Sequence, residues 1–276
     1  MRIALLTMEA LAAARAVRRF VAANPGRIAL VGLSDPFRPE AGGALGQTWR
    51  RLRHSGPGLL PYLFLNFSAP RLVGSLRRGA REIDSTPLSE TCARLGIPVT
   101  TIRDVNAPSF RERLSASGAD LLLTFHFDQI LLADTIGATR LGGINVHPSL
   151  LPLHRGPVPT IHALLDDPVA LGVSIHRLAP KIDAGALLAQ VRVEDRPGLT
   201  ALGAASRLHE AALPALETVL ADLEAGRASD RIVSTLPYRG FPTPGELRRL
   251  RARGRAAAGW NDLGAAWRTP VRDPKA

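Results

Sequence analysis

Short apolar runs alternate with helical patterns along most of the chain. Residues 2–7, 27–32 and 120–125 are almost continuously hydrophobic, which is typical of strands that are buried on both faces. Between the first two runs, apolar side chains recur at helical spacing from Leu11 to Val21. This strand–helix–strand order predicts a Rossmann-like α/β fold, in which a mostly parallel sheet carries helices on both faces.

The same alternation continues toward the C-terminus and then changes to a long amphipathic helix. That helix is predicted over residues 200–224, with a kink at Pro214 and a C-terminal cap at Gly226. The other predicted helices are 88–95 and 109–115, and the other predicted strands are 97–101, 143–146, 173–178 and 186–193.

Two segments do not follow the α/β pattern. We predict a catalytic domain over residues 1–227 with an insertion at about 36–81, followed by a short basic C-terminal extension over 228–276. The insertion contains an apolar run flanked by arginines, so it is either a set of helices packed on its own domain or, less favoured, a peripheral membrane contact through residues 50–81. In the extension, Thr243–Glu246 is a capping box that opens an arginine-rich helix, predicted to lie on the surface.

Charge and cysteine content narrow the function classes. The 276 residues include 35 Lys+Arg against 24 Asp+Glu, a net charge of +11, which keeps a nucleic-acid partner open but not favoured. Lys181 and Lys275 are the only lysines, so the excess of arginine indicates a compositional bias. Cys92 is the single cysteine, and the N-terminus lacks a signal-peptide pattern, so we expect a cytoplasmic protein without disulfides.

The densest set of polar residues lies between positions 145 and 183. Asn145 and His147 are two residues apart at the end of a predicted strand, so their side chains point to the same side. An amide can donate to a developing oxyanion, while an imidazole can accept or return a proton near neutral pH. Asp183 is a candidate for orienting that imidazole. Together the three residues predict chemistry at a carbonyl group.

These residues also belong to a longer motif. Asn145, His147, Ser149–Pro152 and Arg155–Gly156 form N-x-H-x-S-L-L-P-x-x-R-G, and 172–175 and 182–185 read G-V-S-I and I-D-A-G. In these motifs the chain resembles the folate-dependent formyltransferase family, and the separation of His147 from Asp183 agrees with that family's arrangement. The resemblance covers residues 96–226 well.

The resemblance implies a fold, a donor and a mechanism. The donor would be N10-formyltetrahydrofolate and the acceptor an amine. Asn145 and His147 would stabilise the oxyanion of the tetrahedral intermediate, and His147 with Asp183 would assist proton transfer. Backbone groups would hold the pterin, at Gln129, Ile130, Leu131, Lys181, Ile182, Ala184 and Gly185. No metal is expected, because the spacing of His154, His162 and His176 matches no compact ligand pattern.

The acceptor is the open question at this stage. Relatives that act on glycinamide ribonucleotide carry a small-residue phosphate loop after the first strand, whereas this chain has Glu9 there. Relatives that act on initiator methionyl-tRNA carry a C-terminal barrel, for which the residues after Gly226 are too few. We therefore expect a small-molecule amine, such as an amino sugar. The alternatives are a methionyl-tRNA formyltransferase-like enzyme without that barrel, a 10-formyltetrahydrofolate hydrolase and, least favoured, a non-enzymatic nucleic-acid-binding protein. The oligomeric state stays open.

Overall fold

Seven strands form one sheet in the computed structural model, which describes residues 1–35, 43–76 and 82–272. Four neighbouring pairs are parallel, and the last two pairs at one edge are antiparallel. In spatial order the strands are β3 (Val99–Ile102), β2 (Ile28–Ser34), β1 (Ile3–Thr7), β4 (Leu121–Phe125), β5 (Gly143–His147), β6 (Gly172–Arg177) and β7 (Leu187–Arg192). The predicted mostly parallel sheet is confirmed.

Helices cover both faces of this sheet. Alternate residues of β1 supply the two layers of the core, because Ile3 and Leu5 face one side and Ala4 and Leu6 face the other. The helices are α1 (Leu11–Ala23), α2 (Gly43–Ser55), α3 (Leu60–Leu63), α4 (Ala69–Leu76), α5 (Leu88–Arg94), α6 (Pro108–Ala116), α7 (Ala133–Ile136), α8 (Pro159–Ala163), α9 (Ala201–Ala211), α10 (Leu213–Glu224), α11 (Pro244–Ala252) and α12 (Trp260–Arg268).

The long helix predicted over residues 200–224 is two helices. Thr200 caps α9 through a hydrogen bond from the backbone N–H of Gly203, and α9 ends at Ala211. Pro214 lies in the first turn of α10, where a missing N–H is tolerated, and the division falls at Ala212, two residues before the proline. Gly226 follows α10 with a φ of +66°, as the sequence predicts.

The insertion packs on its own domain. Its apolar run continues from α3 through a π-helical turn at Phe64–Ser68 into α4, and Tyr62, Leu65 and Val73 are buried there. Leu72 and Leu76 are exposed on α4. Residues 36–42 and 77–81 of the predicted insertion, including its arginines at 77, 78 and 81, lie outside the described residues.

The insertion's membrane contact therefore stays a prediction. In the described part of the chain, no helix is long and apolar enough to cross a membrane.

The C-terminal extension is joined closely to the rest of the fold. The predicted capping box of Thr243 and Glu246 is present at the start of α11. The arginines of α11 are exposed, as a surface helix requires, and Leu247 and Leu250 anchor the helix in the main core. The last helix, α12, packs against α4 of the insertion, and Gly74 of α4 meets the backbone of Val271 so closely that a side chain there would clash.

Candidate active site

The amide of Asn145 is held in one orientation by its neighbours on both sides. Its Oδ1 accepts a hydrogen bond from the Thr124 hydroxyl at 2.7 Å, so Nδ2 faces β6. There Nδ2 lies 3.1 Å from Nε2 of His176, which occupies the directly opposite position in the β5–β6 register. An amide nitrogen carries two hydrogens. A single bond to His176 therefore leaves Asn145 a second N–H that can be offered to a bound ligand.

His176 accepts the Asn145 hydrogen bond because its ring is neutral. Its Nδ1 lies 2.8 Å from the carbonyl oxygen of Arg177, and since a carbonyl only accepts, Nδ1 carries the ring proton. Burial, with the nearby His147, lowers the pKa of His176 from 6.5 to about 4. At neutral pH, Nε2 therefore presents a lone pair to Asn145.

His147 has its two ring nitrogens in different surroundings. Nε2 lies 3.2 Å from the carbonyl oxygen of His154, which assigns the proton of the neutral ring to Nε2. The other nitrogen, Nδ1, lies 3.7 Å from Oδ1 of Asp183. Nδ1 is thus the ring atom that can take up a proton, and a carboxylate lies beside it to stabilise the resulting charge.

The loop that carries Asp183 is fixed by backbone contacts. Asp183 has a φ of +47°, and its Oδ2 accepts a hydrogen bond from the N–H of Gly156 at 2.9 Å. The Arg155 guanidinium donates to the carbonyl oxygens of Ile182 and Asp183. Gly185 passes so close to the Arg177 carbonyl that a Cβ would lie 1.9 Å from its oxygen. The family motif residues Arg155, Gly156 and Gly185 therefore position the aspartate.

These groups open into a cavity of about 440 Å³ at the carboxyl ends of β4 and β5. Asn145, His147, His176 and Asp183 all line it. Of the residues predicted to hold the pterin, Gln129, Ile130, Leu131 and Ile182 also line it, whereas Lys181, Ala184 and Gly185 are not among its lining residues. The structure thus brings the three predicted catalytic residues together with four of the seven predicted binding residues.

Two of those lining residues have roles in holding the loop itself. The Gln129 side chain accepts from the N–H of Val105 at 2.9 Å and donates to the Ser34 hydroxyl at 2.9 Å. The Ile130 carbonyl accepts from the side chain of Asn106 at 2.8 Å. These hydrogen bonds fix the course of the loop after β4, so its backbone is presented to the cavity in one conformation.

The insertion supplies part of the cavity wall, which the sequence did not specify by residue. Tyr62, Asn66 and Phe67 line the cavity, and the Phe67 ring stacks on His126, with ring centres 6.1 Å apart. Burial, with the nearby His209, lowers the pKa of His126 to about 3, so this wall carries no charge at neutral pH. These wall residues depend on a π-helical turn within the apolar run. The sequence carries no residue pattern that predicts such a turn, so their place on the cavity could not be predicted.

Residues 236–241 of the extension, here called the strap, form another part of the wall. Tyr238, Gly240 and Phe241 line the cavity. Arg155 connects the strap to the catalytic loop, because its Nη1 donates to the Leu236 carbonyl at 2.7 Å and its own carbonyl accepts from the N–H of Arg239 at 2.8 Å. The strap and the Asp183 loop therefore share one arginine.

The strap is also held at its far end by two histidines. His162 Nε2 lies 3.0 Å from the Gly240 carbonyl, and His54 Nε2 of α2 lies 3.0 Å from the Phe241 carbonyl. His162 stacks on His154, whose Nε2 lies 2.6 Å from Oδ2 of Asp166. The histidines whose spacing was considered for a metal site, His154, His162 and His176, thus have separate hydrogen-bond partners. The described residues contain no cluster of three or more His, Cys, Asp or Glu suited to a metal ion.

Glu9 does not face the cavity. Its carboxylate is buried, accepts from the Arg18 guanidinium and accepts from the N–H of Leu88 at 2.8 Å. The argument that Glu9 repels an anionic ligand therefore does not apply, because Arg18 balances its charge in the interior. The start of α1 faces Asn66 of the insertion.

Comparison with known proteins gives both sequence and structural matches. A family model described as formyl transferase matches residues 75–220. A methionyl-tRNA formyltransferase of Roseiflexus sp. (strain RS-1) is 38% identical over 106 residues, which cover 38% of this chain and 33% of the relative. The alignment therefore spans about a third of that relative's length.

Solved structures share the fold at low sequence identity. A sugar N-formyltransferase from a Shewanella species superposes with a TM-score of 0.54 at 18% identity, over 98% of this chain and 88% of that one. Glycinamide ribonucleotide transformylase 1 from Symbiobacterium toebii gives 0.54 at 18% identity, over 85% and 94%. An N-formyltransferase from Helicobacter canadensis, in complex with folinic acid and dTDP-3-aminofucose, gives 0.52 at 12% identity, over 88% and 71%.

Proposed function

Because the chain belongs to the formyl transferase family, we propose that it transfers a formyl group from N10-formyltetrahydrofolate to the amino group of a small molecule. The observation that carries the proposal is the convergence of an amide N–H, an imidazole nitrogen and a carboxylate in one cavity, at Asn145, His147 and Asp183. Family membership confirms the resemblance that the sequence motifs indicated, and with it the predicted class of one-carbon transferases.

In this proposal Asn145 stabilises the charge that develops on the formyl oxygen. When an amine attacks the formyl carbon, that oxygen becomes an oxyanion and needs a hydrogen-bond donor placed in advance. The N–H of Asn145 that is not used by His176 meets this need. The bonds from Thr124 and to His176 hold the amide, so it need not reorient during the reaction.

His147 and Asp183 move and stabilise the proton. The attacking amine nitrogen must lose a proton as its bond to carbon forms, and the folate nitrogen must gain one as its bond breaks. Nδ1 of His147 is the available base, and its charged form is stabilised by Asp183 Oδ1 at 3.7 Å. The same proton can then return to the leaving nitrogen, so the transfer is balanced without another reactant.

The cavity fits a flat heterocycle on the side of residues 127–131. Phe127, Leu131 and Leu178 give apolar walls, and Asp128 with the backbone near Ile182 gives polar partners. We propose that the pterin of the donor lies here, which keeps the role predicted for Gln129, Ile130, Leu131 and Ile182. Lys181, Ala184 and Gly185 do not line the cavity themselves. We propose that they contribute to pterin binding indirectly, because they belong to the loop that carries Ile182 and Asp183.

A small-molecule acceptor is supported by solved structures that share the fold over most of this chain. The Shewanella protein is a sugar N-formyltransferase by name, and the Helicobacter canadensis N-formyltransferase is in complex with dTDP-3-aminofucose. Both superpositions cover most of this chain. A tRNA acceptor is the second candidate, because a relative that is 38% identical over 106 residues is a methionyl-tRNA formyltransferase.

The experiment is a product assay with two kinds of acceptor and a control without acceptor. Purified protein is incubated with N10-formyltetrahydrofolate and a panel of amino sugars, with charged initiator tRNA, or with buffer alone, and formylated products are identified by mass spectrometry. Formylation of an amino sugar supports the proposal, and formylation of only the tRNA transfers it to the second candidate. Tetrahydrofolate release in buffer alone that exceeds release with any acceptor identifies a hydrolase.

A further inference from the structure

The chain has three tryptophans, and all of them lie exposed on helices of the insertion and the extension. Trp49 of α2 is 61% exposed, and Trp260 and Trp267 of α12 are 87% and 56% exposed. Tryptophan is highly buried on average in folded proteins, because its ring is large and mostly apolar. These three side chains therefore indicate a surface that a partner covers.

The tryptophans of α12 continue an exposed apolar side of α4. Leu72 and Leu76 are exposed one turn apart on α4, and Leu263 is exposed between the two tryptophans of α12. The two helices pack against each other, and the N–H of Val271, just after α12, donates to the carbonyl of Pro70 at 2.8 Å. Their exposed sides are therefore adjacent and form one surface, here called the apolar face: Leu72, Leu76, Trp260, Leu263 and Trp267.

The segments that build the apolar face are basic and contain few carboxylates. Residues 41–81 contain several arginines but no Asp or Glu. The only carboxylates in α11 and α12 are Glu246 and Asp262, and both cap their helices. They accept hydrogen bonds from the N–H groups of Thr243 and Gly259, each at 2.8 Å. The positive charge of these segments is therefore not neutralised within them.

Exposed arginines border the apolar face. Arg268 ends α12 and directly follows Trp267. Arg248 of α11 and Arg53 of α2 are exposed where these two helices pack together, and α11 also packs on the turn at Pro57–Leu59 from which the insertion leads to α4. Within the described part of the chain, none of Arg53, Arg248 and Arg268 forms an ion pair with a carboxylate. Their charges are therefore available to an anionic surface.

We propose that the apolar face and these arginines bind the surface of an anionic phospholipid bilayer. Tryptophan rings are favoured at the membrane interface, leucine side chains reach the acyl boundary, and arginines are attracted to anionic headgroups. A nucleic acid would use the arginines but not the exposed leucines, and a second copy of the chain carries the same net charge of +11, which opposes contact.

This surface is larger than the membrane contact predicted for residues 50–81, because α11 and α12 contribute to it. The proposal goes beyond formyl transfer and does not depend on it, since membrane binding needs neither the donor nor the acceptor.

Vesicle flotation with the full chain tests the proposal. Vesicles of phosphatidylcholine alone are compared with vesicles that contain about one third phosphatidylglycerol. We expect the partition coefficient to be about tenfold higher for the anionic vesicles, and to fall as NaCl is raised from about 0.05 M to 0.5 M. Because every tryptophan lies on these helices, binding should also shift the tryptophan emission to shorter wavelength, and lipids brominated in the acyl chain should quench it.

A matched pair of variants tests the apolar face. Trp260→Ser removes its most exposed aromatic ring and should lower the partition coefficient by about tenfold. Ile232→Ser is the control, because Ile232 is 89% exposed and lies beside the edge strand β7, next to the bridge between Arg231 and Leu187. This control should bind as wild type does.

A second matched pair tests the charge. The double variant Arg248→Gln with Arg268→Gln should lower the partition coefficient for the anionic vesicles by about tenfold. Arg103→Gln with Arg113→Gln makes the same change in net charge at exposed positions of the segment from β3 to α6. Because α6 packs in the core layer on the other side of the sheet from the insertion, this control should retain binding.

The outcomes decide between a bilayer and the other partners. Flotation with neither kind of vesicle overturns the proposal, and so does flotation that each control weakens as much as its matched variant. A dimer in light scattering that Trp260→Ser converts to monomers, with no flotation, assigns the apolar face to a second copy. Binding of a single-stranded RNA without vesicle binding assigns the arginines to a nucleic acid. Circular dichroism confirms that each variant is folded, which the exposure of all the substituted side chains leads us to expect.

Discussion

The imidazole of His176 lies directly across the sheet from the amide of Asn145, with Nε2 and Nδ2 3.1 Å apart. The sequence motif identifies Asn145 as functional but gives no reason to connect it with a residue 31 positions later. The pairing follows from the antiparallel register of β5 and β6. His176 is therefore a positioning residue, which acts on the reaction through Asn145.

The first prediction concerns this positioning. His176→Phe removes the hydrogen-bond acceptor for Asn145, so the Asn145 amide can rotate. We expect kcat to fall by about tenfold, which is less than the loss of the Asn145 N–H group itself would cause. His176→Gln retains an oxygen that can accept and should recover most of the rate. The measurement is kcat together with the donor dissociation constant, which should change in neither variant. A purely structural role would instead lower the melting temperature of both without separating their rates.

The second prediction concerns the charge of Asp183. Asp183→Asn can still accept the hydrogen bond from Gly156 but no longer stabilises a protonated His147. We expect kcat to fall by about 10²-fold, within the range that general acid–base catalysis contributes. Pre-steady-state mixing with donor and acceptor measures the transfer step directly. A rate within twofold of wild type would mean that the carboxylate only shapes the loop.

The third prediction follows from buried neutral histidines. His209 is fully buried, and its Nδ1 donates to the carbonyls of Ala12 and Ala205. Burial lowers its pKa from 6.5 to about 4. As the pH falls, His209 therefore binds a proton in the unfolded chain before it does so in the folded chain. The free energy of unfolding is thus highest above pH 6.5 and falls as the pH drops toward 4. This one residue contributes about 3 kcal/mol of that loss, at ~1.4 kcal/mol per pKa unit.

Urea denaturation at several pH values between 7 and 4.5 measures the effect. His209→Asn keeps a donor for the two carbonyls but does not titrate, so its free energy of unfolding should depend less steeply on pH than that of wild type. Parallel curves for the two proteins would show that His209 is protonated normally in the folded state.

Much of the fold could be predicted because strands and helices follow from local periodicity. The sequences of β4 and β5 are apolar runs that predict buried strands, and the capping box of Thr243 and Glu246 predicts the start of α11. The interruption near Pro214 was predicted as a kink within one helix, because the apolar stripes of α9 and α10 continue in phase and a proline is compatible with either a kink or a helix start.

The site could be predicted only in its motif residues. Asn145, His147 and Asp183 carry recognisable spacing, whereas Tyr62, Phe67 and Phe241 reach the cavity through tertiary packing of segments that have no such spacing. The predicted boundary at residue 227 illustrates the same limit. Composition separates the basic extension from the core, yet the backbone of the extension forms hydrogen bonds with Arg155 and with Arg18.

The fourth prediction tests that boundary. A chain that ends at residue 227 lacks the strap wall of the cavity and the buried side chains Leu247 and Leu250 of α11. Arg18, which is fully buried, also loses the Pro270 carbonyl that it contacts. We expect the truncated chain to aggregate or to unfold at low urea concentration, because each buried large side chain contributes about 1.5–3 kcal/mol. A soluble chain with wild-type turnover would show that residues 1–227 are an independent domain.

The most direct measurement follows a ¹³C-labelled formyl group from the donor to the acceptor in wild type, Asn145→Ala and His147→Ala. The account predicts a labelled formamide with wild-type protein, and transfer slower by about 10²-fold or more in each variant, while the donor dissociation constant stays unchanged. Labelled product at the same rate in all three proteins would contradict it, because the reaction would then proceed without the two groups that define the site.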